Sequence, residues 1–309
     1  MFRKRHDTYL ASEIAGFLGR ELRGEDCEIE RVASIESVTN NCLVFFSKFI
    51  NAKFDLREET AIDLDKLAEY SDVLLISEPE NCDKVRCASI PSDHPRLDFI
   101  KALTQFFVKR PEPEIHASAV IEHGAEIGED VLVGAHCYIG PRVRIGAGTA
   151  VFHNTVIMGE VTIGNDCVIK PNATIGSEGF SFVFDENALH HFPQIGRIVI
   201  GNHVWIGSNV CIERAALDET RIDDHCKIDD LVQIGHNANI HEACQITAGV
   251  IICGRVVLEP GCWVAPNAVI DNGVRVGHDA LIGTGSVIRK DVEPNTVVAG
   301  VPGRVLRKR

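Results

Sequence analysis

From residue 115 onward an aliphatic side chain recurs every six positions. The first block runs Ile115, Ile121, Ile127, Val133, Ile139, Ile145, Val151, Ile157, Ile163, Ile169 and Ile175; a short second block is Ile200, Ile206 and Ile212. The third continues Ile222, Ile228, Ile234, Ile240, Ile246, Ile252, Leu258, Val264, Ile270, Val276, Ile282 and Ile288. A helix repeats at 3.6 residues and a half-exposed strand at 2, so neither accounts for a period of six. Such a repeat, with Gly, Asp or Asn after the aliphatic residue, predicts a parallel β-helix. Three units close one triangular coil, and each aliphatic side chain stacks inward on its equivalents above and below. The blocks supply roughly eight to nine coils.

The residue after the aliphatic one should turn the corner. It is glycine at many corners, Gly128, Gly134, Gly207 and Gly235 among them, as expected if that position needs backbone angles a side chain resists. The fourth residue after the aliphatic one should point inward and be small. That slot holds Ala119, Ala125, Thr149, Thr155, Ala173, Ala238, Ala268, Ala280 and Ser286, and also Cys137, Cys167, Cys226, Cys244 and Cys262. Five of the eleven cysteines thus read as small packing residues. An odd cysteine count disfavours a closed disulfide framework, and no Cys-x-x-Cys pair suggests zinc.

Two interruptions break the period and should form surface loops. The larger, Ser177 to Arg197, carries Phe180, Phe182, Phe184 and Phe192, which either pack on the β-helix or a neighbour or wall a ligand cleft. The smaller lies between Ile212 and Ile222. Residues 1–110 lack the hexad and predict a small α/β domain. It should have helices at Tyr9–Leu18, stopped by Gly19, and at Pro95–Val108, with Leu97, Ile100, Leu103 and Phe107 on one face. Short strands are expected at Ile29–Ile35, Leu43–Phe46, Val73–Ile76 and Val85–Ile90, and Pro111 and Pro113 mark the boundary with the domain over 111–309. The fold class expected is therefore mainly β, a parallel β-helix with a small N-terminal α/β domain.

A net charge of −13 argues against nucleic acid as a partner. No apolar run approaches a membrane span, and no apolar segment follows the charged start Met1-Phe-Arg-Lys-Arg-His-Asp7. These features predict a cytoplasmic protein without membrane insertion.

Four stretches carry a resemblance: Ile175-Gly-Ser-Glu-Gly-Phe180, Pro193-Gln-Ile-Gly-Arg-Ile-Val-Ile-Gly201, Arg214-Ala-Ala-Leu-Asp-Glu-Thr220 and Ile228-Asp-Asp-Leu-Val-Gln-Ile-Gly-His-Asn237. Through them the chain resembles the LpxD family, the UDP-3-O-acylglucosamine N-acyltransferases of lipid A synthesis. The resemblance implies a left-handed coil, a homotrimer with sites between adjacent subunits, His236 as general base and Gly254 as backbone donor to the oxyanion. Asp229 matches an aspartate near that histidine, expected to orient it or to hold the acceptor amine. Substrate contacts are expected from Phe180, Phe182, Gln194, Arg197, Asp230 and Asn237. A histidine suits the base because it titrates near neutral pH. His123, His153 and His278 share the corner phase without the surrounding motif, which predicts structural roles.

The chain also departs from that family. A second active-site histidine is replaced by Gly273, and the uridine-contacting segment Ser-Asn-Pro-Lys-Tyr lines up with Ser47-Lys-Phe-Ile-Asn51, leaving Phe46 and Phe49 as nucleotide-stacking candidates. The ending Gly283 to Arg309 looks like CoA-dependent sugar acetyltransferases, with Arg289, Lys290 and Arg304 placed to meet CoA phosphates. The reading expected first is therefore N-acylation of a nucleotide-linked amino sugar for surface polysaccharide, with acyl-CoA as co-substrate and no metal. Lipid A synthesis with acyl carrier protein as donor comes second. A γ-carbonic-anhydrase-like zinc enzyme is a rival of another class, since His236 and His241 are five residues apart, although His203 falls off their corner phase. An inactive scaffold is the last alternative.

Overall fold

The computed structural model describes residues 3–4, 7–47, 64–109 and 111–309. They divide into two compact units, Met1–Pro111 and Glu112–Arg309.

In the second unit the hexad period becomes strands. Most aliphatic positions end a short strand, and the strands stack into three faces of eight, nine and ten strands, parallel except for the antiparallel pair Thr296–Ala299 and Arg304–Lys308 at the end of the ten-strand face. The fold is the expected mainly β, parallel β-helix. Ile234 pairs with Ile252, Ile252 with Ile270 and Ile270 with Ile288, so one corner recurs in successive coils. The aliphatic ladder and the small residues form one continuous core, from Val131 to Val298.

The five inner-slot cysteines are buried and donate to carbonyls of the next coil. Cys137 reaches Phe152 O at 3.1 Å, Cys226 reaches His241 O at 3.1 Å and Cys244 reaches Glu259 O at 3.2 Å. Thr149 Oγ1 makes the same bond to Gly164 O at 2.9 Å. A buried carbonyl left alone costs roughly 1–3 kcal/mol, so a small residue with a weak donor fits this slot better than alanine. All eleven cysteines are free.

The glycines after the aliphatic residues serve a purpose other than the one expected. Positive φ falls two residues later, at Asn237 (60°), Arg255 (59°) and Gly273 (73°) for instance, while Gly207 and Gly235 are absent from the left-handed region. Those glycines are needed because the next coil is too close. A Cβ on Gly235 would meet Gly254 N at 2.7 Å, and one on Gly207 would run into the Asp229 backbone.

The first unit holds a four-stranded parallel sheet of Arg31–Val32, Cys42–Phe45, Val73–Ser77 and Ala88–Pro91. Alternate side chains enter two cores: Leu43, Leu74 and Ile76 pack with Ile14 and Phe107, and Cys42, Val44, Val73 and Leu75 pack with Ile35 and Leu67. Helix Ala11–Leu18 ends at Gly19 in the left-handed conformation (φ 64°). Ile35 lies in a tight turn, Ile35–Ser37, and not in the strand expected there. The second helix, Pro95–Ala102, gives way to one wider turn over Leu103–Phe107. Its expected apolar face is not the buried one, because Leu97 and Ile100 are 49% and 47% exposed. The turn change rotates Phe107 inward beside Ala102, and Asp98 is buried against Ser92 Oγ (2.7 Å) and Arg20 Nε (3.0 Å).

Candidate functional site

His236 follows the strand Gln233–Ile234 on the nine-strand face. Gly235 bends tightly under the next coil, so the imidazole at the following position projects from the corner, half-buried. Its backbone N–H donates to Glu213 Oε2 at 3.1 Å, and Glu213 Oε1 accepts from Gln233 Nε2 at 2.9 Å.

The ring is oriented by its neighbour. Asn237 Oδ1 accepts the Ala216 N–H at 3.0 Å, which identifies that atom as the oxygen, and it lies 3.1 Å from His236 Nδ1. Nδ1 therefore carries the proton in the neutral ring, and Nε2 keeps its lone pair. Nε2 is directed at Gly254, where a Cβ would meet it at 2.7 Å. The Gly254 N–H has no hydrogen-bond partner among the described residues. At equivalent corners a side-chain oxygen of the next coil takes this donor: Asn165 N–H goes to Asn202 Oδ1 and Ser208 N–H to Asp230 Oδ1. Nε2 thus packs against Gly254, whose backbone donor is unpaired among the described residues; a base and a backbone donor are what addition of an amine to a thioester uses.

Both interruptions of the hexad contribute. Residues Phe182–Phe184 and Leu189–His191 form an antiparallel hairpin. Its root bonds to the shorter break, Ile195 N to Ala216 O at 2.9 Å and Arg197 N to Asp218 O at 2.9 Å. Together they wall a cleft of 560 Å³ lined by Phe180, Phe182, Leu189, Phe192, Ala216, His236, Asn237, Arg255 and Asn272. The phenylalanines face water, Phe180 at 88% exposure.

Of the residues expected to act, His236, Gly254, Asn237, Phe180 and Phe182 come together here. Four others do not. Asp229 is exposed at the corner after the ten-strand face, one corner before His236, and within the chain the orienting bond to His236 comes from Asn237 instead. Asp230, at that same earlier corner, binds Lys170 Nζ at 2.6 Å and Ser208 N at 2.7 Å, and the lysine bond holds its carboxyl below the ordinary range. Gln194 is 1% exposed and accepts the Gly179 N–H at 2.7 Å, so within the chain it fastens the loop root. Arg197 pairs with Glu219 at 3.0 Å on the outer surface of the eight-strand face. Phe46 is half-buried against the Val44–Leu75 core, a packing position, and Phe49 lies outside the described residues.

Arg289, Lys290 and Arg304 line a separate recess of 590 Å³ with Ile288, Val298 and Val305. His241 bonds Asp223 Oδ2 at 3.0 Å at a different corner from His236, and no group of three or more metal-ligating side chains occurs among the described residues. Sequence reasoning missed Glu213, Arg255 and Asn272. Asn272 and Arg255 could have been found by stepping eighteen residues, three hexads, from Gly254 and Asn237; the four extra residues after Ile212 hide Glu213 from such a count.

Residues 142–177 and 255–290 match the model of the bacterial transferase hexapeptide (six repeats). A UDP-3-O-acylglucosamine N-acyltransferase of Delftia acidovorans is 32% identical over 95% of this chain and 86% of its own, and one of Methylobacillus flagellatus is 32% identical over 92% and 84%. Among solved structures, LpxA of Acinetobacter baumannii is 27% identical, with a TM-score of 0.54 over 62% of this chain and 72% of its own. Fold and repeat define a hexapeptide-repeat acyltransferase. Within that class the chain belongs to the UDP-3-O-acylglucosamine N-acyltransferase family. The names of these relatives agree with the reading expected second better than with the polysaccharide reading expected first.

Proposed function

We propose that this acyltransferase moves an acyl group from a thioester to the 2-amine of a UDP-linked 3-O-acylglucosamine. The observation that carries the proposal is the His236 Nε2 lone pair packed against Gly254, whose N–H is unpaired among the described residues. The amine nitrogen attacks the thioester carbonyl as Nε2 takes its proton, and the Gly254 N–H donates to the developing oxyanion. Collapse re-forms the carbonyl and expels the thiolate, which takes the proton back from the imidazolium. The product is an amide and a free thiol. Phe180, Phe182, Leu189 and Phe192 supply an apolar wall for an acyl chain. We place the reaction in the cytoplasm, because eleven unpaired cysteines suit a reducing compartment, and in a homotrimer, as the family resemblance implies.

The likeness of the Gly283–Arg309 ending to CoA-dependent sugar acetyltransferases favours acyl-CoA as the donor, and the phosphopantetheine arm that acyl-CoA shares with acyl carrier protein has a place along this surface. Lys290 occupies the corner of His236 three coils on, about 14 Å away at a strand spacing of about 4.8 Å. An extended phosphopantetheine arm covers that span, bringing its phosphate end to Arg289, Lys290 and Arg304. The test is amide formation by purified protein from UDP-3-O-acylglucosamine with each donor in turn. Amide from either donor supports the acyl transfer, and a higher kcat/KM with acyl-CoA supports the donor assignment. No amide from either donor contradicts the proposal.

A further inference from the structure

The cleft beside His236 contains a cation that its own chain leaves unneutralised. Arg255 stands in the left-handed corner position next to Gly254 (φ 59°), and its backbone N–H is tied to His236 O at 2.9 Å. Its guanidinium donates to Asn272 Oδ1 from Nη2 at 2.9 Å and from Nε at 3.3 Å. The same Asn272 amide lies within 3.1 Å, and His236 Nε2 within 2.7 Å, of where a Gly254 Cβ would be. No carboxylate pairs with Arg255 among the described residues, although the chain has thirteen more acidic than basic side chains. Arg144, Arg197 and Arg275 on the same unit pair with Glu126, Glu219 and Glu259. The corner position above Arg255 is Gly273, where a Cβ would meet nothing within 4 Å, so the space over the guanidinium is open.

We propose that Arg255 binds a phosphate of the substrate, and that this phosphate belongs to the diphosphate of the acceptor. The inference rests on the function proposed above and adds the residue that recognises the acceptor's charge. An arginine fork with donors to spare matches phosphate oxygens in pairs. In a 2-amino sugar carrying a diphosphate at C1, amine and phosphate are on adjacent carbons. An amine placed at His236 Nε2 therefore brings the sugar-linked phosphate into the neighbourhood of Arg255. A thioester carbonyl at Gly254 leaves the donor's phosphate at the far end of its arm, three coils away at the Arg289 recess. Asn272 holds the guanidinium in the cleft from one side and leaves its remaining N–H groups to the ligand.

The test uses the full chain and three probes: the UDP-linked amino sugar under turnover, UDP alone and uridine alone in binding. Arg255→Met should raise the acceptor KM and the Kd for UDP by about ten- to a hundredfold, the loss of a charged hydrogen-bonded pair. The donor KM and the Kd for uridine should stay within about twofold. Arg255→Lys should recover part of the loss, and it guards against a folding defect in the first variant. A rise in donor KM with acceptor KM unmoved would assign the phosphate to the donor and overturn the proposal. So would unchanged KM values for both substrates. Failure of the wild-type protein to acylate any UDP-linked amino sugar would instead remove the underlying function, which separates the two outcomes.

Discussion

At the residue scale, the distinctive feature is a histidine whose tautomer is set by an amide that is itself set by a backbone N–H. Asn237 was expected to touch substrate; its bonds to Ala216 N–H and His236 Nδ1 give it a positioning role. Asn237→Ala should lower kcat about ten- to a hundredfold with both KM values held within about twofold, and Asn237→Asp, which keeps an acceptor oxygen, should restore most of the loss. Steady-state kinetics on the three proteins decides the matter, since a substrate-binding asparagine would raise KM. The corner positions of His236 and Gly254 were legible because a six-residue period gives every position a corner; their roles came from the resemblance. Asp229, Asp230, Gln194 and Arg197 lie apart from His236 within the chain, because a motif marks sequence neighbourhood and successive corners of the β-helix separate residues only a few positions apart.

At the scale of elements, the hexads carried the register of each strand, and the interruptions hid what they build. The four extra residues after Ile212 supply the Ala216 N–H and a wall of the cleft, while the larger break folds into a hairpin rooted on them. Corner chemistry was read two positions out of place: at Gly207 and Gly235 the approach of the next coil selects glycine, and left-handed backbone falls two residues later. These causes predict different costs. Gly235→Ala pushes a methyl group into the next coil's backbone and should destabilise by about 2–3 kcal/mol. Gly273→Ala meets open space at positive φ and should cost only about 1–2 kcal/mol. Urea unfolding of both variants checks the ranking; equal losses would mean that coil contact does not select the first glycine. The misjudged face of helix Pro95–Ala102 has a related origin, since one wider turn after Ala102 shifts the phase that a uniform helical period assumes.

At the scale of the whole molecule, stability should fall on the alkaline side. Burial pushes the thiols of Cys27 and Cys87 up from 9.0 to about 11. A thiol with a raised native pKa favours the folded state fully below its unfolded value, and that contribution disappears as pH climbs through the folded value. The melting temperature should therefore be insensitive to these groups up to pH 9 and decline between pH 9 and about 11. Replacing both cysteines with alanine should flatten that decline, and an unchanged slope would assign it to other groups. Sedimentation equilibrium should report three copies of the chain, with Leu217 and Leu231, 63% and 64% exposed here, protected from solvent in the assembly; a monomer at working concentrations would contradict the trimer.

The account as a whole depends on one imidazole taking the proton of the attacking amine. The measurement is amide product formed per unit time by wild-type protein and by His236→Ala, with melting temperature recorded for both. The account predicts a fall of about a hundred- to ten-thousandfold at an unchanged melting temperature, and full turnover in a folded His236→Ala variant would contradict it.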